Sequence, residues 1–230
     1  MKIAISGTYS TGKTTTTLAL AYYTGLLSTH AKTMREILPK ALPGKRLEDA
    51  TGPELVQLGF RRLMERAVRE SHLEDFVSDG SSLHEWAYGM VRTELGMNPN
   101  EETDKGNIVL TEDLKYLKEI MINFGAVAKD YAKDTYESFV HLPVEFPLVA
   151  DGHRPVSELF RRRSNDLLLE TIQKLDIPYY VVGGTIAERL EKITEIYHLE
   201  PVMSVEEAIR LAKKEAEKFD IVQEGRENDN

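Results

Sequence analysis

The chain has 230 residues, of which 41% are hydrophobic and 29% are charged, so it can bury a core and fits one α/β domain with a few additions. Its formal net charge of -9 argues against general binding to nucleic acid or anionic membranes. The absence of cysteine excludes disulfides and thiolate metal sites and fits a reducing compartment. The start of the chain lacks a signal-peptide pattern, and no apolar run approaches the roughly 18 residues of a membrane span, so we expect a cytoplasmic protein.

The first part of the chain alternates short apolar runs with helical periodicity. We predict a strand over 2–6, a helix over 13–25 that ends at Gly25, and a short strand at 30–33. The segment 39–52 has the composition of a loop, and Pro53 begins a helix.

The second part of the chain continues the same alternation of strands and helices. The elements predicted here are a strand at 76–78, a helix at 83–91, a mobile polar insertion at about 96–108, a helix at 111–133, a strand at 137–142, a helix at 155–175, a strand at 178–182, two helices that start at the capping boxes Thr185/Glu188 and Ser204/Glu207, and a frayed tail at 223–230.

Alternating strands and helices indicate an α/β fold with about five parallel strands and helices on both faces. Residues 1–222 are predicted to form this single domain, with a helical lid at about 147–165. Because parallel sheets bind ligands beyond the carboxyl ends of their strands, the loops that follow the strands are the candidate sites.

The loop after the first strand matches the phosphate-binding pattern G-x-x-x-x-G-K-[ST] at every position. It consists of Gly7, Thr8, Tyr9, Ser10, Thr11, Gly12, Lys13 and Thr14, and we call it the P-loop. Glycines let the backbone wrap a phosphate, while successive amides and the start of the helix attract the anion. A glycine turn that contains lysine by chance is the alternative, but the flanking strand and helix argue against it.

The remaining P-loop positions have separate expected roles. Lys13 would place its charge near the β- and γ-phosphates, and the Thr14 hydroxyl would ligate Mg²⁺. Thr15 is a further candidate phosphate contact. Tyr9 either shields the bound ligand or is an exposed loop residue.

Phosphoryl transfer also needs a carboxylate near the γ-phosphate, to hold Mg²⁺ or to accept the proton of the attacking hydroxyl. Asp79 ends the strand at 76–78 and is the candidate for both roles, although an Asp-Gly turn is the simpler interpretation. Glu85 is a weaker second carboxylate, since most such glutamates are solvated.

Arginines provide the expected positive groups, because their planar guanidinium grips phosphate oxygens. Arg154 and the run Arg161–Arg163 fall in the lid region, and we take Arg154 and Arg162 as the catalytic candidates. Three consecutive helical residues span roughly 200°, so at least one of the run should be solvated or ion-paired. Arg35 is a substrate-binding candidate, with a surface ion pair to Glu36 as the alternative.

Other motifs separate the classes of P-loop protein. The N-K-x-D pattern of GTPases is absent, and Asp79 is followed by Gly80 rather than by the acidic residue of ATPase motors. A small-molecule kinase needs only the P-loop, a carboxylate, a substrate loop and basic lid residues, and the chain has a candidate for each.

Four segments resemble the P-loop domain of ribosylnicotinamide kinases, which form the kinase half of bifunctional NAD-metabolism regulators, and of related ATP-binding domains. They are the P-loop, Thr33–Glu36, Phe76–Gly80 and Asp151–Arg154, and the spacing to Val181–Thr185 and Arg189 also agrees. The resemblance implies ATP-dependent 5′-phosphorylation of a nucleoside-like hydroxyl, with Asp79 as base or metal organiser and Arg154 in the lid. It also places Gly184 and Thr185 near the adenine.

Two functions follow from this sequence. In the first, a kinase uses ATP and Mg²⁺, and a small-molecule acceptor enters between the Arg35 loop and the helix after Asp79. There Trp86 and Tyr88 either stack on a ring or belong to the core. In the second, a regulatory module binds nucleotide and signals through the order of its lid. Neither nucleic acid nor membrane is an expected partner, and a homodimer is left open.

Overall fold

Five strands form one sheet in which every neighbouring pair is parallel, in the order β2-β3-β1-β4-β5. The computed structural model describes residues 1–148 and 157–224, apart from the side chains of Arg35 and 218–224. The predicted α/β fold with a five-stranded parallel sheet is confirmed. The strands are β1 (Lys2–Ser6), β2 (Leu27–His30), β3 (Phe76–Asp79), β4 (Ser138–His141) and β5 (Tyr179–Val181).

Helices connect the strands and cover both faces of the sheet. They are α1 (Lys13–Thr24), α2 (Met34–Ala41), α3 (Gly52–Glu70), α4 (Leu83–Leu95), α5 (Glu101–Asp104), α6 (Glu112–Thr135), α7 (Glu158–Lys174), α8 (Ile186–Tyr197) and α9 (Val205–Glu224), with a short 3-10 helix at Leu47–Asp49.

Alternation along the central strands creates a core on each face, because successive strand residues point to opposite sides. Ile3 and Ile5 of β1 pack with buried residues of α1, α8 and α9, while Ala4 packs with those of α3, α4, α6 and α7. The three middle residues of β1 are therefore all apolar and fully buried, as expected of a parallel sheet that is covered on both sides.

The sheet order places the end of β1 at the centre of the carboxyl edge. Ile5 of β1 lies in register with Asp79 of β3, and Ser6 lies in register with His141 of β4. The chain leaves β1 toward β2 on one side and later returns to β4 on the other side. This reversal is where open α/β sheets bind ligands.

Two predicted elements differ from the structure, and a third segment contains a short helix. Strand β2 ends at His30 instead of starting there, and Thr33 is the N-cap of α2 in a capping box with Glu36. The segment 39–52 was expected to be a loop, but it contains the end of α2 and a 3-10 helix. The segment expected to be a mobile insertion contains α5, whose Asp104 side chain contacts the start of α7.

The ends of the described ranges limit two further predictions. Part of the expected lid, 149–156, lies outside the described residues, and its described part comprises 147–148 and the start of α7 with the N-cap Ser157. Of the tail predicted to be frayed, residues 223 and 224 belong to α9 and the rest lie outside the described ranges. No helix within 1–148 or 157–224 is long and apolar enough to cross a membrane.

Candidate active site

The P-loop connects β1 to α1 and has the backbone that its glycines require. Gly7 and Gly12 have φ angles of 138° and 82°, which side chains disfavour. A β-carbon added to Gly7 would lie 2.7 Å from the Leu142 carbonyl oxygen, so no side chain fits there. The N-cap of α1 is Gly12, which has no side chain to cap the helix, so the amides of the first turn remain for an anion. These features fit the phosphates of a nucleotide.

Contacts inside the P-loop place its polar side chains. The Thr11 hydroxyl and the Lys13 ammonium both donate to the Thr8 carbonyl, over 2.9 and 2.8 Å. Thr8 and Thr11 are fully buried, whereas Ser10 has a φ of 55° and is half-buried. Lys13 therefore lies folded across the loop, within reach of the groups that would bind phosphate.

Thr14 and Asp79 form the contact that defines the site. The Thr14 hydroxyl donates to Asp79 Oδ2 over 2.7 Å, and the pairing of β1 with β3 brings the two residues together. A hydroxyl and a carboxylate are both hard oxygen ligands, so this pair suits Mg²⁺ next to the phosphates. Thr15 follows in the first turn of α1 and is half-buried.

Arg189 of α8 links the P-loop to the segment that follows β4. Its fully buried guanidinium donates to the Thr11 carbonyl over 2.7 Å and to a Glu145 carboxylate oxygen over 3.1 Å. The same Glu145 oxygen accepts from the Gly184 amide over 2.9 Å. Gly184 and Thr185, the predicted adenine contacts, are thereby linked to the P-loop through two side chains.

His84 makes a second buried link to the P-loop. Its Nε2 atom lies 3.1 Å from the Gly7 carbonyl oxygen, and its Nδ1 atom lies 2.9 Å from the Ser81 amide nitrogen. The side chain is in the first turn of α4, just after the turn that Gly80 makes with a φ of 80°. Sequence reasoning missed both His84 and Arg189 as supports of the P-loop.

Arg66 of α3 supports the other half of the site. It is buried and donates to the Asp79 carbonyl over 3.1 Å and to the Ser78 hydroxyl over 2.6 Å. Glu70 receives bonds from Arg66 and from the Ser78 hydroxyl, so the cation has a buried carboxylate partner. The side chain of Arg66 on α3 therefore holds the backbone of Asp79 in place.

Glu85 lies on α4, and one of its two carboxylate oxygens forms an ion pair. Its side chain is 4% exposed, and Oε1 accepts from Arg62 Nε over 2.6 Å. Arg62 also donates to the Lys32 carbonyl over 2.7 Å, which orients the pair toward the segment after β2. Among the residues that the structure describes, none hydrogen-bonds to Glu85 Oε2, although that oxygen is buried.

Tyr88 faces the P-loop, whereas Trp86 does not. Tyr88 stacks on Tyr9 with ring centroids 4.4 Å apart and an interplanar angle of 14°, and Phe160 of α7 lies 6.2 Å from each ring. Trp86 packs against Gly125 of α6 inside the core. Trp86 thus belongs to the core, which is one of the two interpretations left open for it, because its indole fills the gap that Gly125 leaves.

The three arginines of α7 have three different environments. Arg161 is buried and donates to the Phe146 carbonyl over 2.6 Å, whereas Arg163 pairs with Glu94 over 2.9 Å. Arg162, the catalytic candidate of this run, is 70% exposed and pairs with Glu158 of its own helix. The expectation that at least one of the run is solvated or ion-paired is confirmed.

The side chains of the two remaining arginine candidates, Arg154 and Arg35, lie outside the described part of the structure. Arg154, the second lid candidate, lies outside the described residues together with the rest of Asp151–Arg154. Arg35 lies in the first turn of α2, where the structure describes its backbone. Glu36, its alternative partner, accepts from the Thr33 amide and hydroxyl in the capping box.

The fold and the site together define a P-loop protein with a nucleotide-phosphate site at the centre of a parallel sheet. A protein-family model described as an AAA domain matches residues 2–189, which is most of the chain. The chain therefore belongs to that AAA domain family. No curated protein sequence matches it.

Solved structures with the same fold include deoxyadenosine kinase from M. mycoides. Its form with the products dCMP and a flexible dCDP has a TM-score of 0.60 and 16% identity over 86% of this chain and 99% of that chain. The form with bound dATP gives the same values. The form with bound dCTP has a TM-score of 0.55 and 17% identity over the same shares. At this identity the likeness concerns the fold.

Proposed function

We propose that this protein is a cytoplasmic ATP-dependent phosphotransferase that acts on a hydroxyl of a small, nucleoside-like acceptor. The contact between the Thr14 hydroxyl and the Asp79 carboxylate carries the proposal. It brings the Asp79 carboxylate to the P-loop residue that follows Lys13, and we propose that the γ-phosphoryl group and an attacking hydroxyl meet beside this carboxylate. The AAA domain family and the shared fold of deoxyadenosine kinase support the same class of reaction.

The proposed reaction breaks the bond between the γ-phosphorus and its bridging oxygen and forms a bond from the acceptor oxygen to that phosphorus. ADP leaves, and the proton of the acceptor hydroxyl passes to Asp79 or to water oriented by it. Lys13 and the amides of the P-loop stabilise negative charge on the phosphates. Mg²⁺ held by Thr14 and Asp79 would neutralise charge on the β- and γ-phosphates.

The acceptor side of the proposed site has a polar and an aromatic component. Glu85 keeps one buried oxygen without a hydrogen-bond partner among the described residues, and a buried unpaired carboxylate oxygen is costly. An acceptor that donates a hydrogen bond there would remove the cost. The Tyr9–Tyr88 stack supplies an aromatic surface beside the P-loop. Together they favour a ring-bearing acceptor with hydrogen-bond donors, such as a nucleoside.

The lid arginines complete the proposal. Arg154 and Arg162 are proposed to stabilise the transferring phosphoryl group when the lid closes, together with a substrate contact from Arg35. In the structure Arg162 pairs with Glu158 on an exposed surface, so it would exchange that partner for a phosphate oxygen. Exposed pairs of this kind contribute little to stability, so the exchange costs little.

The test combines purified protein, Mg-ATP and a panel of nucleosides. We expect phosphorylated product, with a rate that falls roughly 100-fold or more in Asp79→Asn. Binding of an ATP analogue in the absence of Mg²⁺ should stay unchanged in that variant. Asp75→Asn is the matched control, because Asp75 is an exposed carboxylate just before the other end of β3, where it pairs with the amino terminus. The control should keep full activity.

A second variant tests the P-loop itself. Lys13→Ala should leave the fold intact and weaken ATP binding and turnover, and unchanged values would contradict the site. Tight nucleotide binding by the unaltered protein without acceptor-stimulated turnover would contradict the kinase and support the regulatory module instead.

A further inference from the structure

His84 connects the two halves of the phosphate site through one buried ring. The residue is 4% exposed and lies in the first turn of α4. One ring nitrogen contacts the carbonyl of Gly7, the first P-loop residue, and the other contacts the amide of Ser81, two residues after Asp79. No pattern in the sequence assigns this histidine a role.

The hydrogen-bond partners define the tautomer of the ring. The Gly7 carbonyl can only accept, so Nε2 carries the proton, and Nδ1 accepts from the Ser81 amide. The Ser81 hydroxyl and carbonyl oxygens lie 3.2 and 3.3 Å from Nδ1, both farther than the amide nitrogen at 2.9 Å, so the amide decides that Nδ1 accepts. Burial, reinforced by the positive charges of Lys13 and Arg66, lowers the pKa of His84 well below its usual value. The ring is therefore neutral at physiological pH.

The bond to Gly7 fixes part of the P-loop backbone. A peptide unit is planar, so holding the Gly7 carbonyl also fixes the direction of the Thr8 N–H. Glycine lacks the β-carbon that would otherwise restrict this position, and the φ of 138° at Gly7 is one that other residues avoid. The bond from His84 restricts this freedom and holds the peptide in one orientation.

We propose that His84 is a positioning residue for nucleotide phosphates, which acts as a neutral donor that preorganises the P-loop amides. It also holds the Ser81 amide, so the loop that carries Asp79 is set relative to the P-loop by the same ring. The inference rests on the proposed function only in requiring nucleotide phosphates at the P-loop. It does not depend on which acceptor is used, or on turnover.

Two amide variants separate the two bonds of the ring. The side-chain amide of His84→Gln can occupy the position of Nε2 and donate to Gly7, whereas that of His84→Asn reaches only the position of Nδ1. We expect His84→Asn to raise the dissociation constant of a non-hydrolysable Mg-ATP analogue about tenfold, and His84→Gln to stay within about threefold of the unaltered protein. In turnover assays, the KM for ATP should rise more than the KM for the acceptor.

Thermal unfolding of each variant separates positioning from simple loss of stability. Equal analogue affinity in all three proteins would overturn the proposal. So would losses of affinity that follow the melting temperature in both variants, or failure of the unaltered protein to bind the analogue. Loss of turnover with intact, His84-dependent nucleotide binding would contradict the proposed kinase and leave the inference standing.

A measurement on the unaltered protein needs no variant to fold. The ¹⁵N chemical shifts of the His84 ring should show the neutral Nε2–H tautomer at pH 7 and should change when the Mg-ATP analogue is added. A charged ring, an Nδ1–H tautomer or shifts that ignore the nucleotide would each overturn the proposal.

Discussion

The phosphate side and the acceptor side of the site are built differently. On the phosphate side, buried groups from distant parts of the chain hold the P-loop, with Arg189 on the Thr11 carbonyl and His84 on the Gly7 carbonyl. On the acceptor side, one buried oxygen of Glu85 has no hydrogen-bond partner in the part of the chain that the structure describes. Phosphate chemistry is the same for every acceptor, so its site can be complete beforehand. The open hydrogen-bonding position on the other side is where selectivity would arise.

The largest expected effect is a loss of stability when Arg189 is removed from the phosphate side. Replacing it in Arg189→Met removes the donor to the buried Thr11 carbonyl and the charge that faces Glu145, so we expect a loss of about 3 kcal/mol in unfolding free energy. Denaturant unfolding measures this change.

The control is Arg162→Met on the exposed surface of α7. Arg162 pairs only with Glu158 among the described residues and is 70% exposed, so the loss should stay within about 0.5 kcal/mol. Similar losses in the two variants would show that Arg189 is no more than an ordinary ion pair. A loss of turnover in Arg162→Met without loss of stability would support its proposed lid role.

The next effect is a pH dependence of stability on the phosphate side. His141 at the end of β4 donates from Nε2 to Asn165 and accepts at Nδ1 from Ser6, and burial lowers its pKa to about 4. The unfolded pKa is about 6.5, so the folded protein binds fewer protons between these values. The neutral, buried His141 therefore contributes its full stabilisation above pH 6.5. The free energy of unfolding falls as pH decreases toward 4, because the unfolded chain takes up the proton first.

Single-site linkage predicts that His141 contributes a loss of about 2 kcal/mol between pH 7 and pH 5. Between pH 7 and pH 5, the unfolding free energy of His141→Gln should fall by about 2 kcal/mol less than that of the unaltered protein. His72→Gln is the control at an exposed position, and it should keep the steeper pH dependence of the unaltered protein. Parallel pH profiles for all three proteins would contradict the assignment.

The phosphate side shows which parts of the site the sequence can predict. The P-loop is local, so its glycines, Lys13 and Thr14 could be placed from consecutive residues. Asp79 was found because it ends a strand. Arg189 and His84 act on the P-loop from 178 and 77 residues away, and such pairings depend on how the helices pack. A single sequence carries no direct signal for them.

The fold shows the same division between local and distant information. The five strands and most helices follow from periodicity, and Gly25 caps α1 as predicted. Strand β2 was placed too late because it is short and lies at the sheet edge, with only Leu27 strongly apolar. Thr33 and Glu36 formed a capping-box signal that marks the start of α2, and it was overlooked.

A smaller effect tests the acceptor side at Glu85. Glu85→Gln keeps the shape and an acceptor for Arg62, but it can present an amide donor in place of Oε2, the acceptor that has no partner among the described residues. We expect the KM for the acceptor to rise about tenfold, with the KM for ATP unchanged. Glu94→Gln is the control, since Glu94 is a more exposed carboxylate of the same helix that pairs with Arg163. Equal effects in the two variants would remove Glu85 from the acceptor site.

The smallest expected effect concerns the aromatic face of the acceptor side. Tyr88→Leu keeps apolar volume on α4 but removes the stack with Tyr9, and aromatic pairs contribute about 0.5–1.5 kcal/mol beyond their buried area. We expect the KM for a ring-bearing acceptor to rise about threefold, with ATP affinity retained. Tyr180→Leu is the control, because Tyr180 packs on Tyr197 at the sheet edge, and it should leave both values unchanged. If Tyr88→Leu instead weakens ATP binding and leaves the acceptor KM unchanged, the Tyr9–Tyr88 stack supports the phosphate side. Tyr88 would then have to be assigned to that side together with Tyr9 of the P-loop.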